Sequence, residues 1–533
     1  MSDAKREFEA LKARFAARLI DRREFLGRAG AMAAVGGISP LLAARRAVAQ
    51  TPIRGGKMVL GSRHGSTSDS LDPALLTTGL QWAIAFARSA TLTEIDVDGR
   101  PAPSLATSWE ASPDARTWTF TLRSSVEFHN GKPLSPEDVV ASIAYHRGET
   151  SKSFVKPFAD QIEDMRIDGQ NVVLELVAGN VDFPAYLASA GFLILPSEDG
   201  KLVDPTTPIG CGGYTLESYE PGVRATLTRN PNYWREDRAF VDQIELLTIS
   251  DAAARTSALI TGEVDAIDQV DLKTIHLLSR HPDLVIDEIS GPLHYTFPML
   301  TQTAPFDDVH VRLALKHAID RQEMLQKILK GRGTIGNDTP IGPSYSYHAD
   351  DIEQTAFDPD KAKFHLNKAG LSELTVDLST ADAAFAGAVD AAQLFQETAK
   401  KSGITINVKR VPNDGYWSNV WLKEPFCACY WGGYTTESEM FSTGYAPGAA
   451  WNDTQWNHER FETLRIEAQS ELDTERRGEI YREMQLILRD EGGVIVPFFA
   501  NHVMGRSTRL QHGRIGADRA FDGARICERW WVV

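Results

Sequence analysis

Alternation of apolar and polar residues marks out the strands of this chain. It is clearest between residues 104 and 128: Trp109, then Thr117-Trp118-Thr119-Phe120-Thr121-Leu122, then Val126 and Phe128. Period-two patterning rich in β-branched and aromatic residues predicts antiparallel strands. Gly55-Gly56 followed by Lys57 to Gly61 predicts a turn into a first strand. Val172 to Leu176 and Ile244 to Ile249 predict two more, and the apolar run from Val494 to Phe499 a late buried strand. Helices are read from their ends. Ser135-Pro136-Glu137-Asp138 puts Ser at the N-cap, Pro at the first helical position and acids in the first turn. Ala252 to Ile260 predicts a helix stopped by Gly262, and two further helices start near Val309 and at Arg321. From Asp307 helices and strands alternate to about residue 490. No internal repeat or low-complexity linker separates these elements, so short crossovers must join the domains.

Composition narrows the class. The chain has 533 residues, of which 42% are hydrophobic and 24% charged. This is globular composition and excludes a disordered chain, a collagen or a coiled coil. The formal charge of −16 argues against a nucleic-acid binder, which needs a basic footprint. The charge is divided unevenly. Residues 1–49 carry a net +5 and the remainder −21. The basic head contains Arg22-Arg23-Glu24-Phe25-Leu26, a Gly- and Ala-rich stretch from Gly27 to Ala44, and Ala47-Val48-Ala49 after a second arginine pair. A basic region, a short apolar region and a small-x-small site make a cleavable export signal. Arg22, Arg23, Phe25 and Leu26 resemble the twin-arginine motif, with cleavage at Ala47 and Ala49 just before Gln50. The apolar stretch, ~16 residues, is short of the ~20 a membrane span needs. The expected location is periplasmic. There disulfides are permitted, but the four cysteines (211, 427, 429 and 527) fit no paired metal spacing, and buried free thiols are the default.

A search for chemistry finds little catalytic signal. His458-Glu459 is not followed by the second histidine of a zinc-protease motif, and no nucleophile elbow or Walker phosphate loop occurs. Gly331-Arg332-Gly333-Thr334-Ile335-Gly336 fits a dinucleotide pattern, yet a helix is expected before it and a loop after it, the reverse of what that motif requires. The thirteen histidines show no metal-ligand spacing, so no metal and no cofactor are expected. Aromatics are more informative. Tyr416-Trp417, Trp421, Tyr430-Trp431, Tyr434, Trp451 and Trp456 crowd into one stretch, interrupted by Gly432-Gly433, Gly444 and Gly448. Core packing accounts for several of them. Glycines at Gly432 and Gly433 would let the backbone approach a ligand, making this loop and Trp417 candidates for binding.

Several stretches together resemble the family 5 extracellular solute-binding proteins, the peptide-type receptors of bacterial ABC importers. They are Leu71-Asp72-Pro73; Pro103 to Glu110 with Trp118 to Arg123, Phe128 to Leu134 and Glu137-Asp138-Val139; Ile209 to Tyr214 with Arg229 to Trp234; Gly262-Glu263-Val264-Asp265; and Pro305 to Arg321. The resemblance runs in order across residues 55–505. It implies an α/β, two-lobed periplasmic binding protein fold, type II-like (cluster C), with three domains and a hinge. Residues 1–49 would be the signal, 50–79, 206–304 and 493–533 the segments of domain I, 80–205 domain II, and 305–492 domain III. By the same resemblance, ligand contacts fall at Thr77, Thr78 and Gly79, at Asp268 and Gln269, at Trp431, Gly432, Gly433, Tyr434 and Glu437, and on the late strand at Phe499 and Asn501. It also implies a monomeric, non-enzymatic receptor. Its partners would be an ABC permease with a separate ATPase, and the twin-arginine translocase during export. An exported enzyme or chaperone on this fold, or a metal or metallophore receptor, are the competing readings. One departure matters. Peptide-binding members place an aspartate three residues after the loop tryptophan, to pair with the peptide ammonium. Here that position is Tyr434, which stays neutral. Either Glu437 or Glu439 replaces the aspartate, or the solute is a modified peptide, an opine-like conjugate or a glycoside that presents no amine there.

Overall fold

The computed structural model describes residues 52–533 apart from 414 and 450. The export-motif residues Arg22, Arg23, Phe25 and Leu26 and the cleavage-site residues Ala47 and Ala49 lie outside the described residues.

The chain opens with strand β1 (Lys57–Ser62) and helix α1 (Gly79–Arg88). Leu80, Ala83, Ile84 and Ala87 of α1 share a core with Met58 and Leu60 of β1, so this helix packs with the first segment. A second core follows, built on a four-stranded antiparallel sheet of β2 (Ala106–Ala111), β3 (Thr117–Leu122), β4 (Ile162–Asp168) and β5 (Asn171–Leu176), in the order β2-β3-β5-β4. Along β3, Trp118, Phe120 and Leu122 are buried while the three threonines are half-buried, as a two-residue period across a sheet dictates. Helix α2 (Pro136–Tyr145) starts where its N-cap signal predicts. The wholly buried Asp138 carboxylate accepts from the Ser135 N–H at 2.9 Å and the Ser197 N–H at 2.7 Å, and pairs with Lys132. A buried charge is tolerable only when satisfied in this way.

The chain then returns to the first core through β6 (Tyr214–Glu220), β7 (Arg224–Arg229), β8 (Gln243–Thr248), helix α3 (Ala252–Thr261), β9 (Ala266–Ile267) and the long β10 (Leu284–Pro298). Gly262 caps α3 with φ +76°, the left-handed conformation glycine takes without strain. The third core begins with α4 (Val309–Ala318), α5 (Arg321–Ile328) and β11 (Gly333–Ile335). It continues through α6 (Pro359–Lys368), β12 (Leu374–Thr380), α7 (Ala388–Ala399) and β13 (Ile404–Arg410), then β14 (Cys429–Trp431), α8 (Glu437–Gly444), α9 (Glu459–Ser470) and α10 (Thr474–Glu491). Strand β15 (Val494–Ser507) runs back into the first core. The central sheet has the order β6-β7-β8-β1-β9-β15-β10-β14, with β11 against β15. Strands β10 and β15 pair from Leu284↔Ser507 to Pro298↔Val494, and their register breaks between Ser290 and His294. This antiparallel pair connects the first core with the third. The glycine-rich 331–336 segment contributes strand β11 and no helix follows it, unlike a dinucleotide site. All four cysteines are buried free thiols.

The Ile209-Gly210-Cys211-Gly212-Gly213-Tyr214 run has a packing explanation. A Cβ at Gly210 would strike the Arg88 carbonyl, one at Gly212 the Ala87 carbonyl, and one at Gly213 the Ala239 side chain. Two backbones cross here without side chains between them, at the end of α1. Gly212→Ala is therefore expected to destabilise the mature protein by about 1–3 kcal/mol in chemical denaturation, the usual range for overpacking. A stability equal to wild type would show that the contact can relax.

Candidate ligand-binding cleft

One cavity collects residues from helix α1, the second and third cores and the C-terminal segment. It opens to solvent, and about 590 Å³ of empty space, open solvent included, lies between its walls. Helix α1 contributes Trp82 and Phe86, the second core Phe158, Tyr186 and Ser189, the third Tyr434, Thr435 and Glu439, and the C-terminal segment Asp518, Arg519 and Arg525.

Thr77, Thr78 and Gly79 set up α1 and do not line this cavity. Thr78 caps the helix through the Gln81 N–H, while the Gln81 carboxamide oxygen accepts from the N–H groups of Thr77 (2.8 Å) and Thr78 (2.9 Å). This is a capping box. It fixes the helix whose Trp82 and Phe86, one turn apart, reach the cavity. The aromatic pair at i, i+4 was the available sequence signal for this wall. Asp268 and Gln269 are occupied within the first core. Asp268 is buried, accepts from the Ser62 hydroxyl and the Arg63 N–H, each at 3.1 Å, and lies 3.7 Å from the Arg255 guanidinium; Gln269 bonds the Arg63 side chain. Phe499 is buried against the His294 ring, and Asn501 donates to Glu288 at 2.7 Å.

The loop after β14 reaches the cavity. Trp431 is buried against Trp421, Trp451 and Tyr434. Gly433 has φ +84°, and a Cβ there would strike Pro292, which sits in the register break of β10. Gly432 faces open space, and Tyr434 lines the cavity. Trp417 stands on the partly exposed side of the same cluster, ring to ring with Tyr430 and Trp421.

Glu437 and Glu439 diverge, since residues two apart on a helix face different ways. The Glu437 carboxylate is buried within the third core and accepts from the Tyr347 N–H at 2.7 Å. Glu439 is the one that lines the cavity, where it accepts from the Thr435 N–H at 3.3 Å. Burial pushes the Glu439 carboxyl up to about 7, against the opposing field of Arg519 and with a small raising contribution from Asp182. Burial also raises the Tyr434 phenol, keeping it neutral. Three arginines face the cavity. Arg525 lies 4.0 Å over the Phe86 ring and pairs with Glu528 at 2.9 Å, Arg529 pairs with Asp522 at 3.1 Å, and Arg519 stacks 3.7 Å over the Trp82 ring.

Beside the cavity the second and third cores are joined directly. Asp182 forms a buried pair with Arg477, the Val181 N–H donates to the Gln469 carbonyl at 2.8 Å, and the Tyr186 and Ser438 hydroxyls lie 3.4 Å apart. Among the described residues, no group of three or more His, Cys, Asp or Glu side chains is placed to hold a metal ion, and no helix is long and apolar enough to cross a membrane.

The family model for bacterial extracellular solute-binding proteins, family 5 Middle, matches residues 100–453. The chain belongs to this family. The family 5 protein is 29% identical over 311 residues to the nickel-binding periplasmic protein of Escherichia coli (strain K12), a match covering 56% of this chain and 59% of that one. It is 22% identical over 493 residues to the oligopeptide-binding protein OppA of Bacillus subtilis (strain 168), covering 83% and 88%. Among solved structures, the PBP AgaA in complex with agropinic acid, from A. tumefacien R10, superposes with a TM-score of 0.76 at 22% identity, covering 90% of this chain and 99% of that one. The architecture is the two-lobed α/β fold of periplasmic binding proteins, with the second core and the third facing each other across the cavity.

Two outcomes are expected of the family 5 protein. Glu439, ordinarily near 4.5, holds its proton to about 7 when folded. Its destabilising contribution is absent below the unfolded value and grows as pH rises to the folded one. The melting temperature of Glu439→Gln minus that of wild type should therefore rise between about pH 4.5 and 7; a difference independent of pH would place the carboxyl in an ordinary environment. Asp182→Asn should loosen the lobes and enlarge the radius of gyration in small-angle scattering, whereas an unchanged radius would restrict the pair to a role in folding.

Proposed function

We propose that the mature chain is the periplasmic substrate-binding component of an ABC importer. It leaves the cytoplasm by the twin-arginine route, is cleaved near Ala49-Gln50, encloses a small polar organic solute between its lobes and presents it to a permease served by a separate ATPase. The observation that carries this reading is the cavity lined by helix α1, the second and third cores and the C-terminal segment, with aromatic walls and charged groups around one space. Such a cavity forms only when the lobes meet, so a solute that contacts all its walls binds the closed form better and draws the lobes together. The relatives named above bind nickel, oligopeptides and agropinic acid. Family membership therefore leaves the solute class to the residues of the cavity.

Those residues favour an organic solute that does not present an α-ammonium to the loop after β14. Tyr434 supplies no counter-charge there, and an ammonium enclosed without one is costly. The reading is tested by denaturing purified mature protein, identifying any released solute by mass spectrometry, and returning that solute to the stripped, refolded receptor. A change in tryptophan fluorescence is expected; a receptor that carries nothing and responds to nothing would sink the proposal. The loop itself is tested by Tyr434→Asp. The variant should bind trialanine more tightly relative to N-acetyl-trialanine in calorimetry. An unchanged ratio in a folded variant would remove Tyr434 from amine selection.

A further inference from the structure

Among the described residues, the exposed Arg519 is a guanidinium lining the cavity with no carboxylate within ion-pair distance. Arg525 is matched by Glu528 at 2.9 Å and Glu94 at 3.6 Å, and Arg529 by Asp522 at 3.1 Å. Arg519 lines the same cavity, and among the described residues it takes part in no side-chain hydrogen bond or ion pair. Its guanidinium stacks 3.7 Å over the Trp82 ring. A guanidinium stacked on an indole has its face covered and its N–H edge free, and that edge matches a carboxylate with two parallel hydrogen bonds. Two carboxyls share the cavity. Glu439 feels the field of Arg519 from beyond ion-pair distance, and its burial raises the carboxyl to about 7, so that near pH 7 it is only about half ionised. Asp518 bears on His502 and Arg529. Neither is bonded to the Arg519 fork, which therefore remains available to an enclosed solute.

We propose that Arg519, held flat on Trp82, is the specificity-determining residue of the cleft and selects solutes that carry a carboxylate. This rests on the solute-receptor reading above and adds the chemical class of the solute. It also shifts charge recognition away from the loop after β14 to the C-terminal segment. There a positive group takes the place of the negative one that the family resemblance had led one to expect on that loop. Arginine suits the task better than lysine because the planar fork, once stacked, loses little further freedom on binding.

The experiment uses the stripped, refolded mature protein and a bacterial metabolite extract split into fractions retained by anion exchange and by cation exchange. Tryptophan fluorescence is the readout, since Trp82 lies under Arg519. The anion-exchange fraction should shift wild type. The same fraction after methyl esterification, which neutralises carboxylates and leaves phosphate charge largely in place, should not. Arg519→Gln should need about tenfold or more of the untreated fraction for the same response, as expected for loss of a charge-assisted hydrogen-bonded pair. Arg519→Lys should fall between the two, and circular dichroism should show both variants folded. The assignment is overturned if the Arg519→Gln response equals that of wild type, if the esterified fraction remains active, or if only the cation-exchange fraction acts. A wild-type protein silent to both fractions removes the receptor reading itself, and this assignment with it, so the two failures can be told apart.

Discussion

The pairing of β10 with β15 is the constraint on which the rest of the molecule depends. Two strands of fourteen and fifteen residues lie side by side and connect the first core with the third. A continuous antiparallel ladder of this length would be stiff. Here the register breaks between Ser290 and His294, where Pro292 has no N–H to give. Bending is cheapest where ladder bonds are already missing. Gly433 packs onto this Pro292, so the loop that carries Tyr434 into the cavity rests on the interrupted part of the ladder. The loop that lines the cavity and the interrupted part of the ladder are thus in direct contact.

Much of the scaffold was legible because its elements are specified locally. The alternation at residues 117–122, the Ser-Pro-Glu-Asp start at residue 135 and the stop at Gly262 each follow from geometry within a few residues, and each became the element it predicts. The glycines of residues 210–213 announce a close approach in sequence but do not say to what; in the structure it is backbone at the end of α1. The cleft was less legible, because a cavity wall is defined by what lies opposite. The polar groups of Thr77 and Thr78 are used in capping, and the helix that follows them carries Trp82 and Phe86, the aromatics that line the cavity. Arg519 lies beyond residue 505, where the resemblance ended. Its availability depends on a tryptophan in the first helix and on carboxylates that pair with its neighbours instead, which no local pattern encodes.

The acidic residues make the same point at finer scale. Asp138, Asp182, Glu437 and Glu439 are alike as letters, yet each has a different duty. Asp138 ends its hydrogen-bonding capacity inside one domain, Asp182 spends its charge on an arginine across the interlobe contact, and Glu437 accepts a backbone N–H in the third core. Only Glu439 keeps its carboxyl toward the cavity, and there burial works against its charge. Abundance of carboxylates in the sequence is thus a poor guide to the charge a solute meets. The net −21 of the chain after residue 49 describes the surface, and the cleft is described by the imbalance at Arg519.

Closure then becomes a matter of differences. The protein already supplies contacts between the lobes: the Asp182–Arg477 pair, the Val181–Gln469 backbone bond and the Tyr186–Ser438 contact. These stabilise the closed form whether or not a solute is present, and all are intramolecular, so none discriminates between solutes. Selectivity must come from terms that are unfavourable when the cavity closes on the wrong molecule. Arg519 is itself exposed, so such a term arises when a solute covers it: a molecule that displaces water from the guanidinium and supplies no anion leaves that charge uncompensated. A carboxylate-bearing solute cancels that cost, and a neutral one leaves it standing. The contacts between lobes set how readily the cleft shuts, and the unmatched charge inside it determines on what it shuts.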